Sequence, residues 1–86
     1  MHSSIHQVSI YVAAHCSNCG YAATVADQIR GEYPHVAVAL IDLADTQEPI
    51  PEAVFATPTY LLDGRLWFLG NPSPDQVRAR LSSLEE

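Results

Sequence analysis

The sequence predicts a small α/β domain with elements in the order β-α-β-β-β-α. Three observations carry that prediction. An alternating apolar run (Val8, Ile10, Val12, Ala14) gives way at once to apolar residues at helical spacing. A second apolar run, Val36 to Leu43, follows after a short joint. Two further strand-like stretches then flank Asp63-Gly64 ahead of a strongly signalled last helix.

Residues 6 to 14, with several β-branched side chains, read as the first strand. Residues 20 to 33 read as a helix with Ala22, Val25, Ala26, Ile29 and Tyr33 on one face, stopped by Gly31 and Pro34. Val36 to Leu43 is apolar almost throughout, the character of a strand covered on both faces. Joints this short between strand, helix and strand imply a parallel pair with a right-handed crossover. Residues 44 to 57 form a polar, proline-punctuated connection with room for one helical turn near Pro51 to Phe55. Thr59 to Leu62 and Arg65 to Leu69 enclose Asp63-Gly64, a pair suited to a type I′ turn, so an antiparallel hairpin is expected. Ser73-Pro74-Asp75-Gln76 supplies an N-cap, a proline at the first helical position, an acid in the first turn and the Gln of a capping box. Val77, Leu81 and Leu84 give that helix its apolar stripe.

Length and charge narrow the function. With 86 residues, a single domain spanning 1–86 with an ordered core of about 6–84 is expected, the two ends being loose. A formal charge of −6 argues against a nucleic-acid partner, which requires Lys and Arg to neutralise phosphates. No stretch reaches the ~18 apolar residues of a membrane span, and Met1-His2-Ser3-Ser4 has neither the basic nor the apolar region of a secretory signal. A soluble cytoplasmic protein is expected. In that compartment thiols stay reduced, which favours a catalytic or metal-binding role for a lone cysteine pair over a structural one.

The pair is Cys16-Ser17-Asn18-Cys19, the only cysteines, placed where the first strand meets the first helix. There the unpaired N–H groups and positive dipole end of a helix favour thiolate over thiol. Cys16, nearer solvent, is the expected nucleophile, and Cys19 the expected resolving thiol. A protonated His15 beside Cys16 would lower its pKa further. Cys-x2-Cys is also a common zinc spacing, and His2, His6, His15 and His35 are available, so a metal-holding role stands as the alternative.

Taken together, Cys16-x-x-Cys19 at a strand-to-helix junction, Ala56-Thr57-Pro58-Thr59 before the hairpin, and Gly70 after it resemble the thioredoxin-like family in a minimal, glutaredoxin-sized form. The resemblance spans about residue 6 to residue 84. It implies a four-stranded mixed sheet in the order 2-1-3-4 with helices on both faces, and a cis Thr57-Pro58 bond packed against the dithiol. It further implies a thiol-disulfide oxidoreductase in which Thr57 and Pro58 meet an extended substrate strand. Protein or low-molecular-weight disulfides are the implied substrates and a reductase the implied electron source, with no cofactor or metal and the chain acting as a monomer. The non-enzymatic alternative is a binding module that uses the dithiol for a soft metal ion, or the sheet edge for a protein partner. The chain departs from the family pattern at Ser17-Asn18 between the cysteines, at Ile10, where thioredoxin carries a buried acid, and at Asn71, where glutaredoxins carry the second glycine of a pair.

Overall fold

A computed structural model describes residues 6–14 and 16–84; the chain ends expected to be loose lie outside them. The elements are β1 (His6–Val12), α1 (Cys19–Glu32), β2 (Val36–Asp42), β3 (Thr59–Leu62), β4 (Arg65–Leu69) and α2 (Pro74–Leu84). They form one four-stranded sheet in the order β2-β1-β3-β4, with β2 parallel to β1 and the remaining pairs antiparallel.

Period-two alternation in β1 sends Val8 and Ile10 to one face and Gln7, Ser9 and Tyr11 to the other. The register sets Leu62 opposite Val8 and Tyr60 opposite Ile10, which extends the first face across β3. On that face Val8, Ile10, Tyr60 and Leu62 share one core with Ala22, Val25, Ala26 and Ile29 of α1 and with Val77 and Leu81 of α2. Each large apolar side chain fully buried there contributes roughly 1.5–3 kcal/mol relative to exposure. Trp67 adds an edge-on contact with Tyr60, ring centroids 5.8 Å apart.

Both helices therefore lie on the same face, not one on each as the resemblance implied. Direct ties between them agree: the Tyr33 and Ser82 hydroxyls are 2.8 Å apart, and Arg78 pairs with Glu32 at 3.3 Å. The crossover from β1 to β2 carries α1 over the Val8–Ile10 face, and the hairpin prolongs that same apolar surface. The α2 stripe finds its burial beside α1. The opposite face mixes small side chains, Ser9, Ala37 and Ala39, with the buried Tyr11 and Leu61, and among the described residues no helix packs on it. Over it Pro51 of the connection lines a cleft together with Tyr11 and Leu61.

Local signals map closely onto the chain. Asp63 and Gly64 both have positive φ, 54° and 83°, as a type I′ turn requires. Around Pro51 the connection makes a single turn, closed by the Val54 N–H donating to the Pro51 carbonyl at 3.0 Å. The helix stop differs slightly: Gly31 lies inside α1, and the chain leaves the helix at Tyr33, ahead of Pro34. The β2 run differs more. It is an edge strand on which only Val36 is buried and Leu40 is 42% exposed, so an apolar run here does not mean cover on both faces. Phe55, at the end of the Pro51 turn, is 75% exposed. Among the described residues no helix is long and apolar enough to cross a membrane.

Candidate functional site

The first helix opens without the usual protection. Its N-cap, Asn18, makes no side-chain cap hydrogen bond, and no acidic residue lies in the first turn. Beyond the Cys19 N–H, the amides of that turn and the positive dipole end have no side-chain cap, and the sulfurs are what the sequence places there. Cys16 and Cys19 are joined in a disulfide with their Cα atoms 5.3 Å apart. A tight turn makes this possible, with the Cys19 N–H donating to the Cys16 carbonyl at 3.2 Å and the Cys16 N–H to the Ala13 carbonyl at 3.3 Å. Cys16 is half-buried, whereas Cys19 belongs to the core-facing side of α1. One sulfur can meet a partner while the other is held behind it.

The second motif arrives at the same end of the sheet. Thr59 pairs with Tyr11 near the end of β1, so Pro58 falls beyond it, where the chain leaves for the cysteine turn. The Thr57–Pro58 peptide is cis, Pro58 is buried and Thr57 is half-buried. The Thr59 hydroxyl donates to the Ala56 carbonyl and closes the segment on itself.

Two consecutive residues after the hairpin join these motifs. Gly70, at φ +85°, donates its N–H to the Pro58 carbonyl at 2.9 Å; a positive φ is readily adopted only by a residue without Cβ. Asn71 donates its side-chain Nδ2 to the Asn18 carbonyl at 2.7 Å and accepts the Tyr60 hydroxyl on Oδ1 at 2.6 Å. Burial, with the Tyr21 phenol adding to it, pushes the Tyr60 pKa well above its ordinary value, so the hydroxyl stays a donor. Sequence reasoning noted Asn71 only as a departure from the family pattern and did not single out Tyr60 for the site. An Asn between Gly70 and Pro72 signals a turn, and nothing local announces its partner at Asn18.

The metal alternative fares differently. His6 pairs with Asp63 at 2.6 Å, and His35 precedes β2, so both stand at the start of the parallel strands, the end opposite the dithiol. Among the described residues no group of three or more His, Cys, Asp or Glu side chains comes together to hold a metal ion. His15 and His2 lie outside the described residues. Asp63 also accepts the Gln7 N–H at 2.8 Å, and these bonds, the one with His6 first, hold its carboxyl below the usual range. A cleft of about 470 Å³ lined by Leu62, Arg65, Trp67 and Arg80 lies at this far end as well.

The element order β-α-β-β-β-α and the strand order β2-β1-β3-β4 have known structural counterparts. The thioredoxin of Trypanosoma brucei brucei is similar with a TM-score of 0.74 at 23% identity, over 96% of this chain and 77% of that one. The chain has a thioredoxin-like fold. The thioredoxin of Fasciola hepatica gives a TM-score of 0.70 at 23% identity, over 96% of this chain and 82% of that one. Thioredoxin O2 of Arabidopsis thaliana, in its oxidised state, gives 0.68 at 21% identity over 96% and 77%. No protein-family model matches the sequence, and no curated protein matches it. At these identities the likeness is one of architecture.

Proposed function

We propose that the protein is a thiol-disulfide oxidoreductase that cycles Cys16 and Cys19 between dithiol and disulfide, reducing protein or low-molecular-weight disulfides. The observation that carries this reading is the accessible Cys16 joined to the buried Cys19 at the uncapped mouth of α1. In the reduced protein the Cys16 thiolate attacks a substrate disulfide, forming a mixed disulfide and releasing one substrate thiolate. Cys19, as thiolate, then attacks the Cys16 sulfur. The second substrate sulfur leaves with the electron pair and takes a proton from water, so the protein loses two electrons and the substrate gains them. A reductase returns the electrons in the next cycle. No carboxylate is buried among the described residues, and the core position Ile10 offers no proton acceptor to Cys19.

Thr57 and Pro58 serve as the substrate-binding edge, with the backbone of Thr57 pairing to an extended segment of the partner. A protein substrate is favoured by exposed apolar side chains on each segment of the site: Tyr21 on α1, Phe55 before the cis-proline segment and Leu69 before Gly70. His15 is read as a modulator of the Cys16 thiol from adjacency. The chain acts as a monomer in the cytoplasm, where the reducing poise keeps such a couple supplied.

The test is turnover of insulin and of an aromatic disulfide with dithiothreitol as donor, wild type beside Cys16→Ser. Cys16-dependent reduction is expected, with Cys16→Ser at the background rate of dithiothreitol alone. Equal rates for the two proteins would end the oxidoreductase reading.

A further inference from the structure

We propose that Asn71 is a positioning residue for the resolving step, locking the Asn18–Cys19 peptide so that the Cys19 sulfur is presented to the Cys16 sulfur. The proposal rests on the oxidoreductase reading above and specifies how its second half is accomplished.

The Asn18–Cys19 peptide is gripped at both ends. Its N–H donates to the Cys16 carbonyl, and its carbonyl accepts Asn71 Nδ2 at 2.7 Å. The first bond is internal to the cysteine turn and opens whenever the turn opens. The second comes from the loop between β4 and α2, so it ties the turn to the body of the protein. The Asn18 side chain supplies no such tie, since it makes no cap hydrogen bond.

The amide of Asn71 is itself fixed. Tyr60, fully buried in β3, donates to Oδ1 and leaves Nδ2 as the end that faces Asn18. On either side, Gly70 is bonded to the Pro58 carbonyl and Pro72 is buried, so the backbone carrying the amide is held as well. Core, hairpin exit and cysteine turn are thus connected through one side chain.

Resolution is an intramolecular displacement. The Cys19–Cys16 S–S bond forms, the bond from Cys16 to the substrate sulfur breaks, and the substrate sulfur departs as thiolate with the electron pair. Its rate scales with how often the Cys19 sulfur stands in line behind Cys16, and a closed turn raises that frequency. Attack by Cys16 on an incoming disulfide does not require Cys19. A strut on the turn should therefore separate the two steps.

The experiment uses the full chain, reduced, with the aromatic disulfide 5,5′-dithiobis(2-nitrobenzoate) as probe and stopped-flow detection of the released thiolate. The first release reports Cys16 attack and the second reports Cys19 resolution; Cys19→Ser gives the first alone. Asn71→Ala should leave the first phase within about twofold and slow the second about tenfold, the loss of one well-made hydrogen bond. Its disulfide should also become about tenfold easier to reduce against glutathione, a potential about 30 mV less negative. Tyr60→Phe keeps the core volume and the amide but frees its orientation, and should slow the second phase about threefold. An Asn71→Ala protein whose second phase matches wild type overturns the proposal, as does equal slowing of both phases. Should Asn71→Ala fail to fold, Tyr60→Phe decides by itself, and an unchanged second phase in it is a refutation. Absence of a second release from wild type would instead remove the oxidoreductase reading itself.

Discussion

The two helices of this chain open in opposite ways. At the start of α2 every device for quieting a helix end is present: the Gln76 N–H donates to the Ser73 hydroxyl at 3.1 Å, the Ser73 N–H donates to the Gln76 side-chain oxygen at 2.8 Å, Pro74 takes the first position and Asp75 faces the dipole. At the start of α1 there is no side-chain cap and no acid, and the disulfide occupies the space. The pairing teaches that an exposed helix mouth is a resource the sequence can spend or withhold. Capping side chains spend it on stability, about 1 kcal/mol for a good N-cap. Leaving them out keeps the same amides available to an anionic sulfur, at the expense of that stability.

Placing an acid at the first mouth should break the contrast most visibly. Gly20 is exposed in the first turn of α1, and a Cβ there meets no atom within 4 Å, so Gly20→Asp can be built without displacing a neighbour. The carboxylate competes with the thiolate for the same dipole, and the Cys16 pKa should rise by about one unit, equivalent to about 1.4 kcal/mol. Below that pKa about tenfold less thiolate is present, but its nucleophilicity grows with basicity, so the attack rate should fall only about threefold. Gly20→Ala is the control: it should stabilise the helix by roughly 0.5–1 kcal/mol and leave the thiol pKa unmoved. Thiolate absorbance against pH reads both variants, and an unshifted pKa in Gly20→Asp would detach sulfur reactivity from the helix mouth.

Removing the cap from the second mouth sharpens the comparison from the other side. Ser73→Ala strips one half of the capping box and should cost about 1 kcal/mol, lowering the melting temperature by about 4–8 °C for a domain of this size. Disulfide exchange by Cys16 should keep its wild-type rate, because the two helix starts have separate partners. A large loss of stability at position 73 together with a changed Cys16 pKa would mean that the ends are coupled.

What could be read from the chain beforehand follows the range of the forces involved. The hairpin turn at Asp63-Gly64, the capping box at Ser73 and the cysteine turn are each fixed by a few neighbouring residues, and each stands where its local signal put it. The strand order was legible through the resemblance carried by the Cys16–Cys19, Thr57-Pro58 and Gly70 motifs. The face taken by α2 was not, because periodicity says which side of a helix is apolar and not which side of the sheet will receive it. Nor was the cover over β2, whose apolar run is the same string of residues for a central strand and for an edge. Asn71 belongs to the same class: its partner at Asn18 is distant in sequence, and only the folded arrangement reveals that one amide bridges them. The cysteine turn was readable because it is built by neighbouring residues, while the support beneath it was hidden because that support is tertiary.

The smallest effect is expected where a carboxylate is already fully engaged far from the sulfurs. Asp63 accepts His6 and the Gln7 N–H at the hairpin turn, and these bonds depress its pKa in the folded chain. The stabilisation this gives is present above the unfolded value of ~3.9 and is lost as pH falls through it toward the lower folded value. Because the Asp63 side chain is 42% exposed, solvent screens the pair and the contribution is slight. Asp63→Asn keeps a side-chain acceptor for Gln7 and tolerates the positive φ, but it cannot titrate, so the acid limb of stability below about pH 4 should flatten. The length of β1, on the order of 20 Å at ~3.3 Å per residue, separates this turn from the dithiol and exceeds the ~8–10 Å screening length at ordinary salt. The Cys16 pKa should therefore be the same in Asp63→Asn as in wild type, measured by thiolate absorbance in the same buffer. A shift there comparable to that of Gly20→Asp would show that the thiol responds to the overall charge of this acidic chain and not to the amides at its own helix mouth.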